Sequence, residues 1–195
     1  MDGDRRVQPT SPDGVWALDQ LPPNVRLGRL SVVSGARAFA RFFAENDAGL
    51  TIGDRSTIDG SQFAVGPAGR LTIGSDCYFS AAVLLCEQEI RIGDAVMVGW
   101  NATIADCDFH PLAPEMRRLD AVACSPLGDR RARPPVATLP VIIEDDAWIG
   151  PNATVLQGVR IGAAAFLEPG SVVTRDVPPR TRVLGNPARV VGEIR

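Results

Sequence analysis

The residues best suited to chemistry gather in one short stretch, IADCDFHP, residues 104–111, which contains the only histidine of the chain, His110. Two carboxylates, Asp106 and Asp108, and one thiol, Cys107, lie close to it in sequence. A neutral imidazole is suited to general-base catalysis near pH 7, and it is also a common metal ligand. A histidine before a proline can equally complete a turn. These three interpretations of His110 have to be separated by its surroundings.

The neighbours of His110 also allow more than one role. Cys107 is a potential nucleophile that His110, three positions further on, can activate, which would give a ping-pong enzyme. Asp106 and Asp108 can hold the imidazole in one tautomer, bind the hydroxyl groups of an acceptor, or only shape a corner of the chain. The local sequence leaves these alternatives open.

Composition narrows the function classes. With 195 residues and 45% hydrophobic content, the chain is long enough to bury one full core. Its 20 basic and 23 acidic residues give a formal charge of -3, which provides no field to attract nucleic acid or an anionic membrane. Without a secretory signal or an apolar run of membrane-spanning length, we expect a cytoplasmic protein with a small-molecule partner. The four cysteines lack CxxC spacing, which indicates reduced thiols.

Aliphatic residues recur every six positions through the second half of the chain, a period that neither an amphipathic helix nor an alternating strand explains. Small or branched residues occupy the position four places after each of them. The aliphatic column is Ile143, Ile149, Val155, Ile161, Leu167 and Val173. The second column is Ala147, Ala153, Val159, Ala165, Ser171 and Val177. The same template fits earlier segments, with Ile52, Ile73, Ile92 and Val98 in the aliphatic column.

A triangular solenoid explains this period. Each hexad forms one short strand and one corner, and three hexads return the chain to the same face one strand spacing higher, roughly 4.8 Å. The aliphatic residues fill the interior. The glycines that follow them, such as Gly53, Gly74 and Gly150, and the pairs GD, ED and PN are predicted to supply the corner conformations. The predicted fold class is therefore all-β, a parallel β-helix.

One long excursion, residues 110–140, interrupts the repeat, begins at His110 and is rich in proline and arginine. Loops of this length in a compact domain are usually functional or disordered. Upstream, VRLG echoes the later LTIG and IRIG and is expected to start a first coil. Pro178 and Pro179 are predicted to end the strand ladder. The expected organisation is an N-terminal extension, 1–24, a β-helix domain, 25–177, and a C-terminal capping tail, 178–195.

The segment VIIEDDAWIGPNATVLQGVRIGAAAFLEPGSVVTRDVPPRTRVLGNPARVV resembles the carboxyl half of the hexapeptide-repeat acyltransferases, in particular the maltose, galactoside and nodulation-type O-acetyltransferases. WIG, GSVVTRDVPP and GNPARV follow that family's order, and DFHP matches the element that carries its catalytic histidine. The resemblance covers residues 50–195 and implies that the β-helix is left-handed, an exception to the usual hand of parallel crossovers.

The resemblance also implies a reaction. It implies acetyl-CoA as the donor, direct transfer to the hydroxyl group of a saccharide or related acceptor, and His110 as the general base. Glu87 matches, loosely and one residue out of step, an acceptor-binding carboxylate of the galactoside enzymes. The implied assembly is a homotrimer with sites between subunits. Residues matching the family's donor contacts are Trp148, Gly150, Pro151, Pro169, Thr174, Arg175 and Arg189.

Several alternatives remain beside this reading. The γ-class carbonic anhydrases share the solenoid but bind zinc through three histidines, so a single histidine predicts no metal site. The basic cluster DRRAR, residues 129–133, is either a solvated tip or a clamp for a phosphate-bearing acceptor. An amine acceptor, as in N-acetyltransferases of amino sugars, nucleotide-amino sugars or antibiotics, suits the same base. A non-catalytic scaffold is the third reading, and the joint presence of His110 and Trp148 argues against it.

Overall fold

Short parallel strands stack into the three faces of a triangular prism in the computed structural model, which describes residues 21–194. Most of the predicted N-terminal extension, 1–24, lies outside the described residues. Face 1 contains β1 (Val25–Leu27), β4 (Leu50–Ile52), β7 (Arg70–Ile73), β10 (Glu89–Ile92), β13 (Val141–Ile143) and β16 (Arg160–Ile161). Face 2 contains β2 (Val32–Val33), β5 (Thr57–Asp59), β8 (Tyr78–Ser80), β11 (Met97–Val98), β14 (Trp148–Ile149), β17 (Phe166–Leu167), β19 (Thr181–Gly185) and β20 (Ala188–Glu193). Face 3 contains β3 (Arg41–Phe42), β6 (Gln62–Val65), β9 (Val83–Cys86), β12 (Thr103–Ala105), β15 (Thr154–Val155) and β18 (Val172–Val173).

The aliphatic column predicted from the repeat stacks in register inside the prism. On face 1, Ile73 pairs with Ile52 on one side and with Ile92 on the other, and Ile92 pairs with Ile143 across the excursion. Each of these side chains is at most 3% exposed. Complete burial of one aliphatic side chain contributes about 1.5–3 kcal/mol, so the column drives the stacking of the coils. The predicted solenoid is confirmed.

Five corners in the second half of the chain turn at a residue in the left-handed conformation, directly before a small or branched buried residue. The φ angle is 60° at Asp146, 57° at Asn152, 74° at Gly158, 54° at Ala164 and 74° at Gly170. The residue after each of them points into the prism and is nearly or fully buried. These inward residues are five of the six members of the second column of the repeat, which explains its small or branched side chains.

The glycines that follow the aliphatic residues do not form the corners, so that part of the prediction is wrong. Gly74 and Gly150 do not have the left-handed φ. A Cβ atom at Gly74 would lie 2.5 Å from the carbonyl oxygen of Gly93, and one at Gly150 would lie 2.5 Å from the carbonyl oxygen of Leu167. Glycine is needed at these positions because neighbouring coils approach each other too closely for a side chain.

The excursion leaves the prism after β12 and rejoins it before β13. Cys107 and Thr138 form an antiparallel bridge where the two ends meet. Between them lie one helix, α1 (Pro114–Ala123), and one 3₁₀ turn, Arg130–Ala132, neither of which was predicted. Pro114 fits the first helical position, where no backbone N–H is needed. Within the part of the chain that the structure describes, no helix is long and apolar enough to cross a membrane.

The C-terminal strands extend face 2 beyond Pro178 and Pro179. β19 pairs in parallel with β17, and β20 folds back antiparallel onto β19. The prediction that these prolines end the strand ladder is therefore wrong, because one more parallel strand follows them. The reversal into β20 ends the parallel stack instead. The proposed division at residues 177 and 178 remains a prediction.

Gly74→Ala should destabilise the protein, because the new methyl group would meet backbone atoms of the next coil. Overpacking of this kind costs about 1–3 kcal/mol, which lowers the melting temperature of a chain this size by roughly 2–10 °C. Thermal unfolding followed by circular dichroism measures the change. Gly192→Ala is the matched control, because no atom lies within 4 Å of the position that its new methyl group would take and its φ is not left-handed. Equal melting temperatures for the two variants would contradict this account of the glycines.

Candidate active site

A cleft of about 910 Å³ lies between the excursion and the outer surface of the first coils of face 3. The excursion contributes His110, Arg130 and Arg133 to its wall, and the coils contribute Arg41 and Glu87. A cleft of this volume is large enough for a small-molecule ligand. The predicted base and the predicted acceptor carboxylate therefore line one cavity.

His110 is held at the wall of the cleft by a carboxylate from α1. Its side chain is 58% exposed, and Nδ1 lies 2.5 Å from Oδ2 of Asp120. A carboxylate can only accept a hydrogen bond, so Nδ1 carries a proton, and in the neutral ring the lone pair is then on Nε2. This is the tautomer that a general base needs. Of the roles left open for Asp106 and Asp108, holding the ring is excluded, because Asp120 occupies that position.

The carboxylate of Asp120 is ionised although it is fully buried. Burial alone raises its pKa, but hydrogen bonds from Arg133 and His110 outweigh burial and hold the pKa below its ordinary value of 3.8. Nε of Arg133 donates to Oδ1 at 2.7 Å, while His110 occupies Oδ2. Both oxygens are therefore satisfied, and the negative charge is positioned to stabilise a protonated imidazole.

Arg133 connects the excursion to the prism. Besides Asp120, its guanidinium group donates to Oε1 of Glu87 at 2.8 Å and to the carbonyl oxygen of Phe109 at 3.2 Å. Its side chain is only 19% exposed. This residue of the DRRAR cluster is therefore not part of a solvated tip. Glu87 faces the cleft with one oxygen paired to Arg133.

Asp106 has a structural role, and the prediction that it binds the acceptor is therefore corrected. It is fully buried, and its carboxylate accepts backbone N–H groups from Glu87 and Gln88 at 2.8 Å and from Glu89 at 2.6 Å. Both oxygens are occupied in this way. Asp106 therefore fixes the turn that presents Glu87 and offers nothing to an acceptor.

Asp108 and Phe109 shape the turn before His110. The carboxylate of Asp108 accepts a hydrogen bond from Nε2 of Gln157 in the next coil, and its backbone oxygen accepts from the N–H of His110. Asp108 does not line the cleft. Phe109 has a φ of 41°, a strained conformation for a residue with a side chain. Asp108 and Phe109 thus shape the backbone directly before His110, and a contact of Asp108 with the acceptor remains a prediction.

Cys107 is poorly suited to act as a nucleophile. Its side chain is buried, at 3% exposure, and burial raises the pKa of the thiol to about 11. The reactive form of cysteine is the thiolate, which is scarce at neutral pH when the pKa is this high. The ring of His110 is hydrogen-bonded to Asp120. The geometry therefore favours a base over an acyl-cysteine.

The family model for the bacterial transferase hexapeptide (six repeats) matches residues 140–175. A 2,3,4,5-tetrahydropyridine-2,6-dicarboxylate N-acetyltransferase from Staphylococcus aureus (strain bovine RF122 / ET3-1) is 55% identical over 58 residues, which are 30% of this chain and 24% of that protein. The chain therefore spans about a quarter of the length of this curated relative.

Longer similarity comes from solved structures. A hexapeptide-repeat containing acetyltransferase from Vibrio cholerae O1 biovar eltor, complexed with acetyl coenzyme A, is 32% identical, with a TM-score of 0.60, over 75% of this chain and 72% of that one. The chain belongs to the hexapeptide-repeat acetyltransferases. Galactoside acetyltransferase in complex with coenzyme A is 27% identical over 69% of this chain and 60% of that one, with a TM-score of 0.53.

In the present chain, the predicted donor residues lie outside the cleft that contains His110. Thr174 and Arg175 are exposed and follow β18, on the same edge of the prism as His110 and two coils further along. The others belong to face 2 or to the corner between faces 2 and 3. These are Trp148, Gly150, Pro151, Pro169 and Arg189. One subunit therefore divides the predicted donor residues between two edges.

Two of these residues have contacts within the subunit that bear on their predicted role. Trp148 is half exposed and stacks on Phe166 of the next coil, with ring centroids 4.4 Å apart. About half of its surface therefore remains available as an apolar wall. Gly150 is buried, and the adjacent coil already requires a glycine there, so its presence is explained without a donor.

The described residues 21–194 contain no group of three or more His, Cys, Asp or Glu side chains arranged to hold a metal ion.

The sequence analysis missed the role of Asp120 and the bridging role of Arg133, both of which lie in the excursion. Their role depends on tertiary contacts that the six-residue repeat does not encode.

Asp120→Asn should weaken the excursion in a pH-dependent way. Because the folded pKa of Asp120 lies below 3.8, its ionisation adds stability above that pH, and the addition is lost as pH falls through the folded pKa. Losing the charge-assisted hydrogen bonds should cost about 1.5–3 kcal/mol at pH 7. Urea unfolding of both proteins from pH 7 down to pH 2 measures the difference, which should shrink below about pH 4. Glu115→Gln, exposed on the same helix, is the control and should show no such difference. A deficit that stays constant down to pH 2 would exclude Asp120 ionisation as its cause.

Proposed function

We propose that this protein transfers an acetyl group from acetyl-CoA directly to a hydroxyl group of a saccharide-like acceptor, with His110 as the general base. The observation that carries the proposal is the contact between Nδ1 of His110 and the ionised Asp120 at the wall of the cleft. Membership of the hexapeptide-repeat acetyltransferases supports acyl transfer as the reaction class. A cytoplasmic location remains a prediction of the sequence.

The chemistry follows from the hydrogen bond between Nδ1 and Asp120, which leaves the lone pair on Nε2 in the neutral ring. Nε2 accepts the proton of the acceptor hydroxyl as its oxygen attacks the thioester carbonyl carbon. The carbon–sulfur bond then breaks, and the leaving thiolate of CoA takes the proton from the imidazolium. Asp120 stabilises the imidazolium between these two steps, because its negative charge lies against Nδ1. No covalent intermediate with the protein is needed.

An amine acceptor is the second candidate. The Staphylococcus aureus relative is named as an N-acetyltransferase, and its similarity, 55% over 58 residues, supports this alternative. The same base can serve an amine. Matched acceptors, a neutral monosaccharide and its 2-amino derivative, separate the two reactions, because an ester product is cleaved by hydroxylamine and an amide product is not.

His110→Ala should lower kcat by roughly 10²- to 10⁴-fold, the range that a positioned base contributes. CoA thiol release in the presence of an acceptor panel measures the rate. Cys107→Ala is the matched control, because it removes the neighbouring reactive group and should change kcat less than twofold. If Cys107→Ala instead abolished turnover, the direct mechanism would be wrong. If the wild-type protein released no thiol with any acceptor, the non-catalytic scaffold hypothesis would replace the proposed enzymatic function.

We also propose that the complete site forms between neighbouring copies, as the resemblance implies for a homotrimer. The division of the predicted donor residues between two edges of one prism supports this arrangement. An edge with His110 and Arg175 from one copy would then face Trp148 and Pro151 of another.

A mixing experiment tests the shared site. His110→Ala and Trp148→Ala should each be impaired alone, whereas co-assembled mixtures should regain activity. Some interfaces then combine the intact His110 of one copy with the intact Trp148 of the other. Light scattering gives the oligomeric state, and separately purified, unmixed variants give the baseline. Mixed assemblies without regained activity would place both residues of each site on the same copy.

A further inference from the structure

The cleft beside His110 is locally basic, although the whole chain has a formal charge of -3. Four arginines and two glutamates line it. They are Arg41, Arg130, Arg131, Arg133, Glu45 and Glu87. An excess of guanidinium groups in a cavity indicates a ligand that carries negative charge.

The carboxylates of the cleft do not neutralise all of these arginines. Arg133 is paired with Glu87 at 2.8 Å and with Asp120 at 2.7 Å. Arg131 lies 3.9 Å from Glu45, and both side chains are mostly exposed. Such a contact is worth little in water.

Arg41 and Arg130 have no carboxylate within 4.0 Å among residues 21–194. No carboxylate in the described residues pairs with either of them, so their charge is available to a ligand.

Both of these arginines are carried by ordered elements. The guanidinium carbon of Arg130 lies 4.8 Å above the ring centroid of Phe43, a cation–π contact that orients the side chain. Arg130 starts the 3₁₀ turn, which Asp129 caps by accepting the N–H of Arg131 at 2.9 Å. Arg41 lies on β3, which is paired with β6. The two cations thus come from different parts of the chain that line the cleft, one from the excursion and one from the prism.

We infer that the acceptor carries an anionic group, a phosphate or a carboxylate, which Arg41 and Arg130 bind while its nucleophilic group lies at His110. This deepens the proposed function and rests on it. Guanidinium groups bind both anions through paired, charge-assisted hydrogen bonds. The positions of Arg41 and Arg130 in the same cleft as the base make them specificity-determining residues. They act on acceptor binding and not on the acetyl donor.

Three forms of one monosaccharide test the inference: the neutral sugar, its phosphate ester and its uronic acid. With the wild-type protein, kcat/KM should be at least tenfold higher for one or both charged forms than for the neutral sugar. A preference for the ester indicates phosphate, and one for the uronic acid indicates carboxylate. Arg41→Ala and Arg130→Ala should each raise KM for the preferred form about 10-fold or more, with kcat little changed. Arg118→Ala, exposed on α1 and outside the cleft, is the charge-matched control and should change neither.

The outcomes separate the inference from the function on which it rests. Equal kcat/KM for all three sugars, with normal thiol release, would overturn the anionic acceptor and leave the acetyltransferase in place. A rise in KM for acetyl-CoA in the Arg41 and Arg130 variants, with acceptor KM unchanged, would assign these arginines to the donor and also overturn the inference. Absence of thiol release with every acceptor would overturn the proposed function itself. Competition by inorganic pyrophosphate against the acceptor, weakened in both variants but not in Arg118→Ala, gives an independent measure of anion binding.

Discussion

The candidate site depends on the ionic hydrogen bonds that the buried carboxylate of Asp120 makes with His110 and Arg133. Burying an ionised carboxylate away from water costs free energy unless each of its oxygens accepts a hydrogen bond. His110 and Arg133 each donate one to Asp120. Because Arg133 also binds Glu87, this single group links α1, the 3₁₀ segment and the edge of the prism. The excursion therefore closes over the coils in one defined position. The wall of the cleft and the orientation of the imidazole are consequences of the same ionic network.

The solenoid contributes rigidity at the point where the excursion departs. Leu139 N–H donates to the carbonyl oxygen of Asp106 at 2.9 Å, so the returning chain is tied to the residue at which it left. The side chain of Asp106 meanwhile fixes the turn at Glu87. Coils on either side continue to stack, as the pairing of Ile104 with Val155 shows. A long insertion of this kind leaves the ladder intact, because its two ends meet at one corner.

The prism was predictable from the sequence because its information is local and repeated. An aliphatic residue such as Ile143 occurs at every sixth position, so each repeat of the motif supports the same interpretation. Asp120 has no such support, since its role depends on a helix that lies outside the repeat. Pro114 followed by Glu115 is a recognisable helix start and could have indicated α1. Sequence proximity also misled the assignment of Asp106, because a residue at a prism corner can point inward while His110, a few positions later, faces the cleft.

The strand register that stacks the core residues also aligns the outward side chains of face 2. Tyr78, Met97 and Trp148 occupy one outward column, since their strands pair residue to residue, and each is nearly half exposed. Trp148 continues this column by stacking on Phe166. A contiguous apolar column on one face of a narrow prism is a surface that water covers poorly. In the proposed site between copies, a neighbouring copy or the pantetheine arm of the donor would remove this column from solvent. The repeat thus places an apolar column on face 2, whereas the excursion places His110 at a different edge of the prism. This separation is what the proposed site between copies requires.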